Sequence, residues 1–196
     1  VARQFAVTWD YRCPFARNAH EALVKGLKEG RDWDVRFWPF SLDQVHVEEG
    51  ETPVWERSLD GEGVSGLRAL LWGIAVRDAF PEHFLDFHEA TFRARHDEGK
   101  KIAEEAVLAE VAQRVGLDAD AVAAEVASGR PLKALEAEHT EAVDRYAVFG
   151  VPTIIDGDEA VFVRMMERGN VDDFAQALDL VSSTRLNEFK RTKIAR

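Results

Sequence analysis

The residue in this chain best suited to chemistry is Cys13. It stands in Asp10-Tyr11-Arg12-Cys13-Pro14-Phe15-Ala16, after the β-favouring run Phe5-Ala6-Val7-Thr8-Trp9 and at the start of a helix read to about Gly26. Pro14 suits the first helical turn, where its missing N–H costs nothing. The free N–H groups of that turn and the positive end of the helix dipole favour a thiolate. A free Cys has a pKa of about 8.5, and such positions lower it to about 3.5–7.5, so more nucleophile is present at neutral pH. A lone Cys is otherwise a small, buried and inert residue. Here the strand, Cys-Pro and helix in succession favour the nucleophile.

A second element is Val151-Pro152, which follows Gly150 and leads into Thr153-Ile154-Ile155. A Pro entering a strand after a Gly-containing turn is a candidate cis peptide. In that case the Val151 backbone offers its N–H and C=O to an extended ligand, as an added strand would. Arg12 and Arg17 flank Cys13 and are candidates to lower its pKa or to meet the carboxylate of a small thiol. Gln44 and His46 are candidate polar contacts to a ligand. Phe15 would set an apolar ring beside the thiol. Trp9 reads as a sheet residue and Tyr11 as a residue of the cleft rim. His20 lies about 10 Å along the helix from Cys13, too far to be its base, and reads as a surface histidine. His83, His88, His96 and His139 lack the spacing of a helical zinc site, so no metal is expected.

The elements that must position these residues follow from the hydrophobic pattern. After the first strand and helix, with Gly26 or Gly30 as the stop, Asp34 to Phe40 reads as a second strand ended by Pro39. Ser41 to Leu59 reads as loop. Val64 to about Val126 reads as helical throughout, with Asp118 as an N-cap, and Pro131 to Ala147 as a further helix. Two short strands then flank the turn Asp156-Gly157-Asp158-Glu159, with Ala160 to Val163 as the second. Asp172 to Val181 reads as an amphipathic helix, and Ser182 to Arg196 as a polar, basic tail. Two β-rich ends separated by helices predict one α/β sheet assembled from both ends of the chain.

Composition narrows the classes. The 196 residues are 46% hydrophobic and 31% charged, and the net charge is −11. An acidic surface argues against nucleic acid or an anionic membrane as a main partner. No apolar run approaches the ~18 residues of a membrane span. Val1-Ala2-Arg3-Gln4 leads straight into strand-like sequence, without a signal-peptide pattern. With one Cys in the chain, no intrachain disulfide can form, and a reducing cytoplasm is the expected compartment.

Trp9-Asp10-Tyr11-Arg12-Cys13-Pro14-Phe15 resembles the active-site entry of the DsbA family of thioredoxin-fold oxidoreductases, and Phe149-Gly150-Val151-Pro152-Thr153 resembles its cis-Pro loop. The broad group includes FrnE-like proteins, kappa-class glutathione transferases and hydroxychromene-carboxylate isomerases. Leu186-Asn187-Glu188-Phe189-Lys190-Arg191-Thr192 resembles the tail of actinobacterial members, including mycothiol-dependent ones. The resemblance implies a thioredoxin fold with a helical insertion: residues 1–58 and 131–196 would form the two parts of the fold, and 59–130 the insertion. It also implies a cis Val151-Pro152 bond, with Cys13 as nucleophile.

The family motif is usually Cys-Pro-x-Cys, and here Ala16 takes the fourth place. Without a resolving thiol, dithiol exchange cannot finish within one chain. The expected activity is therefore monothiol thiol-disulfide exchange at Cys13. An external thiol such as mycothiol or glutathione, or a protein disulfide, would be the partner. Pro14, Phe15, Arg17, Gln44, Val151 and Pro152 are the expected substrate contacts, and no cofactor is expected to be tightly bound. A redox-silent binding protein and a thiol-dependent transferase or isomerase of the kappa-class type are the alternatives. A monomer and a homodimer both remain open.

Overall fold

The computed structural model describes residues 1–185, 187 and 188. Most of the proposed tail resemblance at 186–192 lies outside the described residues. The core is a four-stranded sheet in the order β2-β1-β3-β4. Strand β1 is Arg3–Trp9, β2 is Trp33–Pro39, β3 is Thr153–Asp156 and β4 is Glu159–Phe162. β1 runs parallel to β2 and antiparallel to β3, and β3 pairs antiparallel with β4. The central β1 is buried from Phe5 to Trp9. It therefore reads as a continuous apolar run rather than as an alternation.

Between β1 and β2 runs helix α1, Pro14–Lys28. It extends through Gly26, where a stop was one expectation. Gly26 instead makes room for a ring, since a Cβ there would lie 2.3 Å from Trp33. The helix ends before Gly30, at φ +86°, with Lys25 and Lys28 in the last turn. The segment after β2 is not all loop. Ser41 caps a one-turn helix α2, Leu42–Val45, by accepting the Gln44 N–H, and Val54–Glu56 form a 3₁₀ turn.

The long helical stretch is broken at three places, after Ala79, after His96 and after Arg114. Helix α3, Leu67–Ala79, ends at Phe80 ahead of Pro81, as a residue before Pro is turned from helical geometry. Helix α4, Phe84–His96, is separated by residues 97–104 from α5, Glu105–Arg114. Asp118 caps α6, Ala119–Ala127, accepting from the Asp120 and Ala121 N–H groups. Helix α7 is Arg130–Tyr146, and Ala147 closes it at φ 52°. α3 is buried almost all round, wrapped by α4, α6 and α7, while α7 also reaches β2. Helix α8, Val171–Val181, packs on α1, β3 and β4. Its Phe174 sits between Phe5 and Trp33. Among the described residues no helix is long and apolar enough to cross a membrane.

Candidate thiol site at the strand–helix turn

The turn from β1 into α1 is built on a buried carboxylate. Asp10 accepts the Arg12 N–H and the Leu42 N–H, both at 2.9 Å. One side chain thus fastens the ends of both parallel strands. Burial pushes the Asp10 carboxyl up, against the pull of Arg12.

Arg12 is not free to serve Cys13. Its Nη1 lies 2.7 Å from Asp43 Oδ1 and donates to Ser65 Oγ at 2.7 Å, and its Nε lies 3.5 Å from Asp10. Asp43 also accepts the Gly66 N–H at 2.8 Å. A Cβ at Gly66 would lie 2.6 Å from Arg12 Nε, so this clamp requires glycine at the entry of α3. Arg17 is likewise engaged, with Asp97 at 3.2 Å and with Asn18. Both arginines are thus tied to carboxylates of the fold.

Cys13 is the N-cap of α1, with extended backbone (φ −83°, ψ 118°), and Pro14 opens the helix. Its Sγ accepts from the Ala16 N–H at 3.4 Å and, as a thiol, donates to the Val151 carbonyl at 3.4 Å. The Val151–Pro152 peptide bond is cis. The Pro152 carbonyl accepts from Val163 N–H at 3.0 Å, which ties the end of β4 to the same loop.

The electrostatics depart from the sequence expectation. Burial pushes the Cys13 thiol above its ordinary value, outweighing the downward pull of the Ala16 and Phe15 N–H groups and of Arg164, while Asp10 adds a smaller upward push. Desolvation penalises the charged form, and here it wins over the helix start. The resting sulfur at neutral pH is therefore a thiol, which fits its role as donor to Val151.

Gln44 turns its side-chain oxygen to the Val54 N–H at 2.9 Å, fastening the loop after α2. His46 is exposed and bonds the Leu42 carbonyl. Phe15 is half-buried, two residues after Cys13, and the Arg164 guanidinium lies 4.6 Å from its ring centre.

Tyr11 and His20 are not surface residues. Both are buried, because α4 lies over them. Tyr11 Oη lies 2.8 Å from His88 Nδ1, His88 Nε2 lies 3.0 Å from His20 Nδ1, and His20 Nε2 lies 3.1 Å from the Thr8 carbonyl. A carbonyl only accepts, so His20 must donate from Nε2. His20 Nδ1 then accepts from His88 Nε2–H, and His88 Nδ1 accepts from Tyr11 O–H. Burial lowers His20 to about 4 and His88 well below its ordinary value, so both rings are neutral. Among the described residues no group of three His, Cys, Asp or Glu side chains is placed to hold a metal.

Sequence reasoning missed the Asp10–Arg12–Asp43 clamp, the histidine row and Arg164. All three join segments far apart in the chain. The one local signal was Asp10 itself, an acidic residue closing an apolar strand.

Comparison with known proteins bears on this geometry. No curated protein sequence matches the chain. Among solved structures, Pseudomonas aeruginosa DsbA is similar at 21% identity and TM-score 0.63, covering 93% of this chain and 83% of that one. A 2-hydroxychromene-2-carboxylate isomerase is similar at 18% identity and TM-score 0.66, covering 93% and 97%. The cytosolic disulfide reductase DsbM of Pseudomonas aeruginosa, solved with GSH, is similar at 21% identity and TM-score 0.61, covering 93% and 100%. These likenesses show the thioredoxin fold. The model of the DSBA-like thioredoxin domain matches residues 6–179, which include the Cys13 turn and the Val151-Pro152 loop, and the chain belongs to that family.

Proposed function

We propose that this chain carries out monothiol thiol-disulfide exchange at Cys13, in a reducing compartment such as the cytoplasm. The observation that carries the reading is the Cys13 sulfur at the start of α1, 3.4 Å from the Val151 carbonyl. The sulfur and a backbone edge able to hold an extended partner share one place. In the forward step the Cys13 thiolate attacks one sulfur of a disulfide R–S–S–R′. A Cys13–S–S–R bond forms, the old S–S bond breaks, and R′–S⁻ leaves. With Ala16 at the fourth motif position, an external thiolate R″–S⁻ must attack the R sulfur of the mixed disulfide, forming R–S–S–R″ as the Cys13–S–S–R bond breaks and the Cys13 thiolate is restored. Glutathione or mycothiol has the chemistry required, and a protein disulfide is the other class of partner. Pro14, Phe15, Val151 and Pro152 are the contacts on this reading, with the helical segment 59–130 covering the site. The raised thiol makes exchange slow near neutral pH and faster in alkali.

The same raised thiol favours a second reading, in which the site holds a small thiol without forming a bond to it. Mass detection of Cys13 adducts after exposure to oxidised glutathione between pH 6 and 10 separates the two. Exchange predicts an adduct that accumulates faster above the ordinary cysteine range, is released by excess thiol, and vanishes in Cys13→Ser. No adduct up to pH 10, with reduced glutathione still bound in calorimetry, would favour the second reading.

A further inference from the structure

We infer that Arg164 selects the disulfide partner, and that the site takes a small thiol or disulfide bearing a carboxylate. This rests on exchange at Cys13. Arg164 follows directly after β4 and Val163, and its guanidinium stands 4.6 Å from the ring centre of Phe15 and 5.8 Å from that of Phe162. It is close enough to pull the Cys13 thiol down. The neighbouring arginines are all engaged by acids: Arg12 by Asp10 and Asp43, Arg17 by Asp97, and Arg168 by Glu21 and Asp97. Arg164 is exposed and faces no carboxylate among the described residues. Its fork of donors is thus free for an outside anion.

The position is also held in place. On one side, the Val163 N–H bonds the Pro152 carbonyl at 3.0 Å. On the other, Asn18 of α1 donates to the Met165 and Met166 carbonyls at 2.9 and 3.3 Å. Arg164 therefore sits between a tie to the Val151-Pro152 loop and a tie to the helix that carries Cys13. Phe149, 67% exposed, meets Phe162 at a tilt with ring centres 5.2 Å apart and extends the aromatic rim. A ligand with its sulfur at Cys13 and its carboxylate on Arg164 would lay its methylene groups along Phe15. The protein carries a net charge of −11. An anionic ligand meets repulsion elsewhere, so a cation beside the sulfur decides whether it can dock.

The test compares 3,3′-dithiodipropionic acid with its diamide, two disulfides of the same skeleton and different charge. The rate of Cys13 mixed-disulfide formation is followed by mass at fixed pH, in the wild type and in Arg164→Met. The wild type is expected to favour the diacid, and Arg164→Met to lose about five- to tenfold in the diacid-to-diamide rate ratio, the scale of a partly exposed charge-assisted hydrogen bond. The ratio cancels any change in the thiol's own pKa, which acts on both reagents alike. Arg164→Lys should keep part of the preference, and added salt should weaken it. Adducts that form with a ratio unmoved by Arg164→Met would overturn the assignment of Arg164 and leave exchange standing. No adduct with either disulfide would overturn exchange, and the inference with it.

Discussion

At the scale of single residues, Cys13 shows how two environmental effects compete for one proton. The helix start and the Arg164 cation favour the thiolate, and burial opposes them and prevails. Ala16 is the other decisive residue, since its N–H reaches the sulfur at 3.4 Å while its own side chain carries no thiol. We expect Ala16→Cys to change the fate of the mixed disulfide. The introduced thiolate would attack the Cys13 sulfur, expel the bound small thiol and leave an intrachain disulfide. Mass analysis should then show loss of the adduct and a protein two hydrogens lighter than its reduced form, without any added thiol. An adduct equally long-lived in both proteins would contradict it. The role of Cys13 was legible from the sequence because strand, Cys-Pro and helix are neighbours in the chain. Its raised pKa was not, because burial comes from segments far from residue 13.

At the scale of elements, the turn after β1, the one-turn helix α2 and the entry of α3 are fastened by one guanidinium. Arg12 joins Asp10, Asp43 and Ser65, and Asp10 is fully buried. Removing the cation leaves two carboxylates facing each other out of water. Arg12→Ala should therefore cost about 2–4 kcal/mol in urea unfolding, toward the lower side for a broken buried pair because Arg12 keeps some solvent contact. Arg12→Lys should recover only part, as a point charge cannot reproduce the fork. A loss under about 0.5 kcal/mol, the usual size for a surface substitution, would contradict the clamp. The strands and most helix positions were readable from periodicity and caps. Asp118 at the start of α6 and the Asp156-Gly157 turn are examples, because each is a local signal. The break at residues 97–104 has a local sign in Gly99, at φ +64°, which the helical pattern overrode, whereas the bond of His96 to the Tyr11 carbonyl at 2.8 Å was not readable, since it joins segments far apart in the chain. The paired arginines were invisible for the same reason.

At the scale of the whole molecule, the buried histidines set the response to acid. His20 and His139 each have a folded pKa of about 4, and His88 lies well below its ordinary value. Between about pH 6.5 and 4 the unfolded chain takes up protons at these positions and the folded chain does not, so stability is fully present above that window and falls through it. His20 alone corresponds to about 3 kcal/mol over that span. Asp10, held up by burial, works in the opposite sense low in the window. The urea midpoint should fall clearly from pH 7 to pH 4.5. A flat profile there would mean these rings are accessible to protons in the folded state. The row from Tyr11 through His88 and His20 to Thr8 has a further property. Its direction is set at one end by a carbonyl that cannot donate, and each later link inherits it. A single extra proton on His20 reverses His88 and leaves the Tyr11 hydrogen with no acceptor. One proton thus disturbs every link of the row, so α4 is joined to β1 and the head of α1 by a seam that acid unsettles along its whole length.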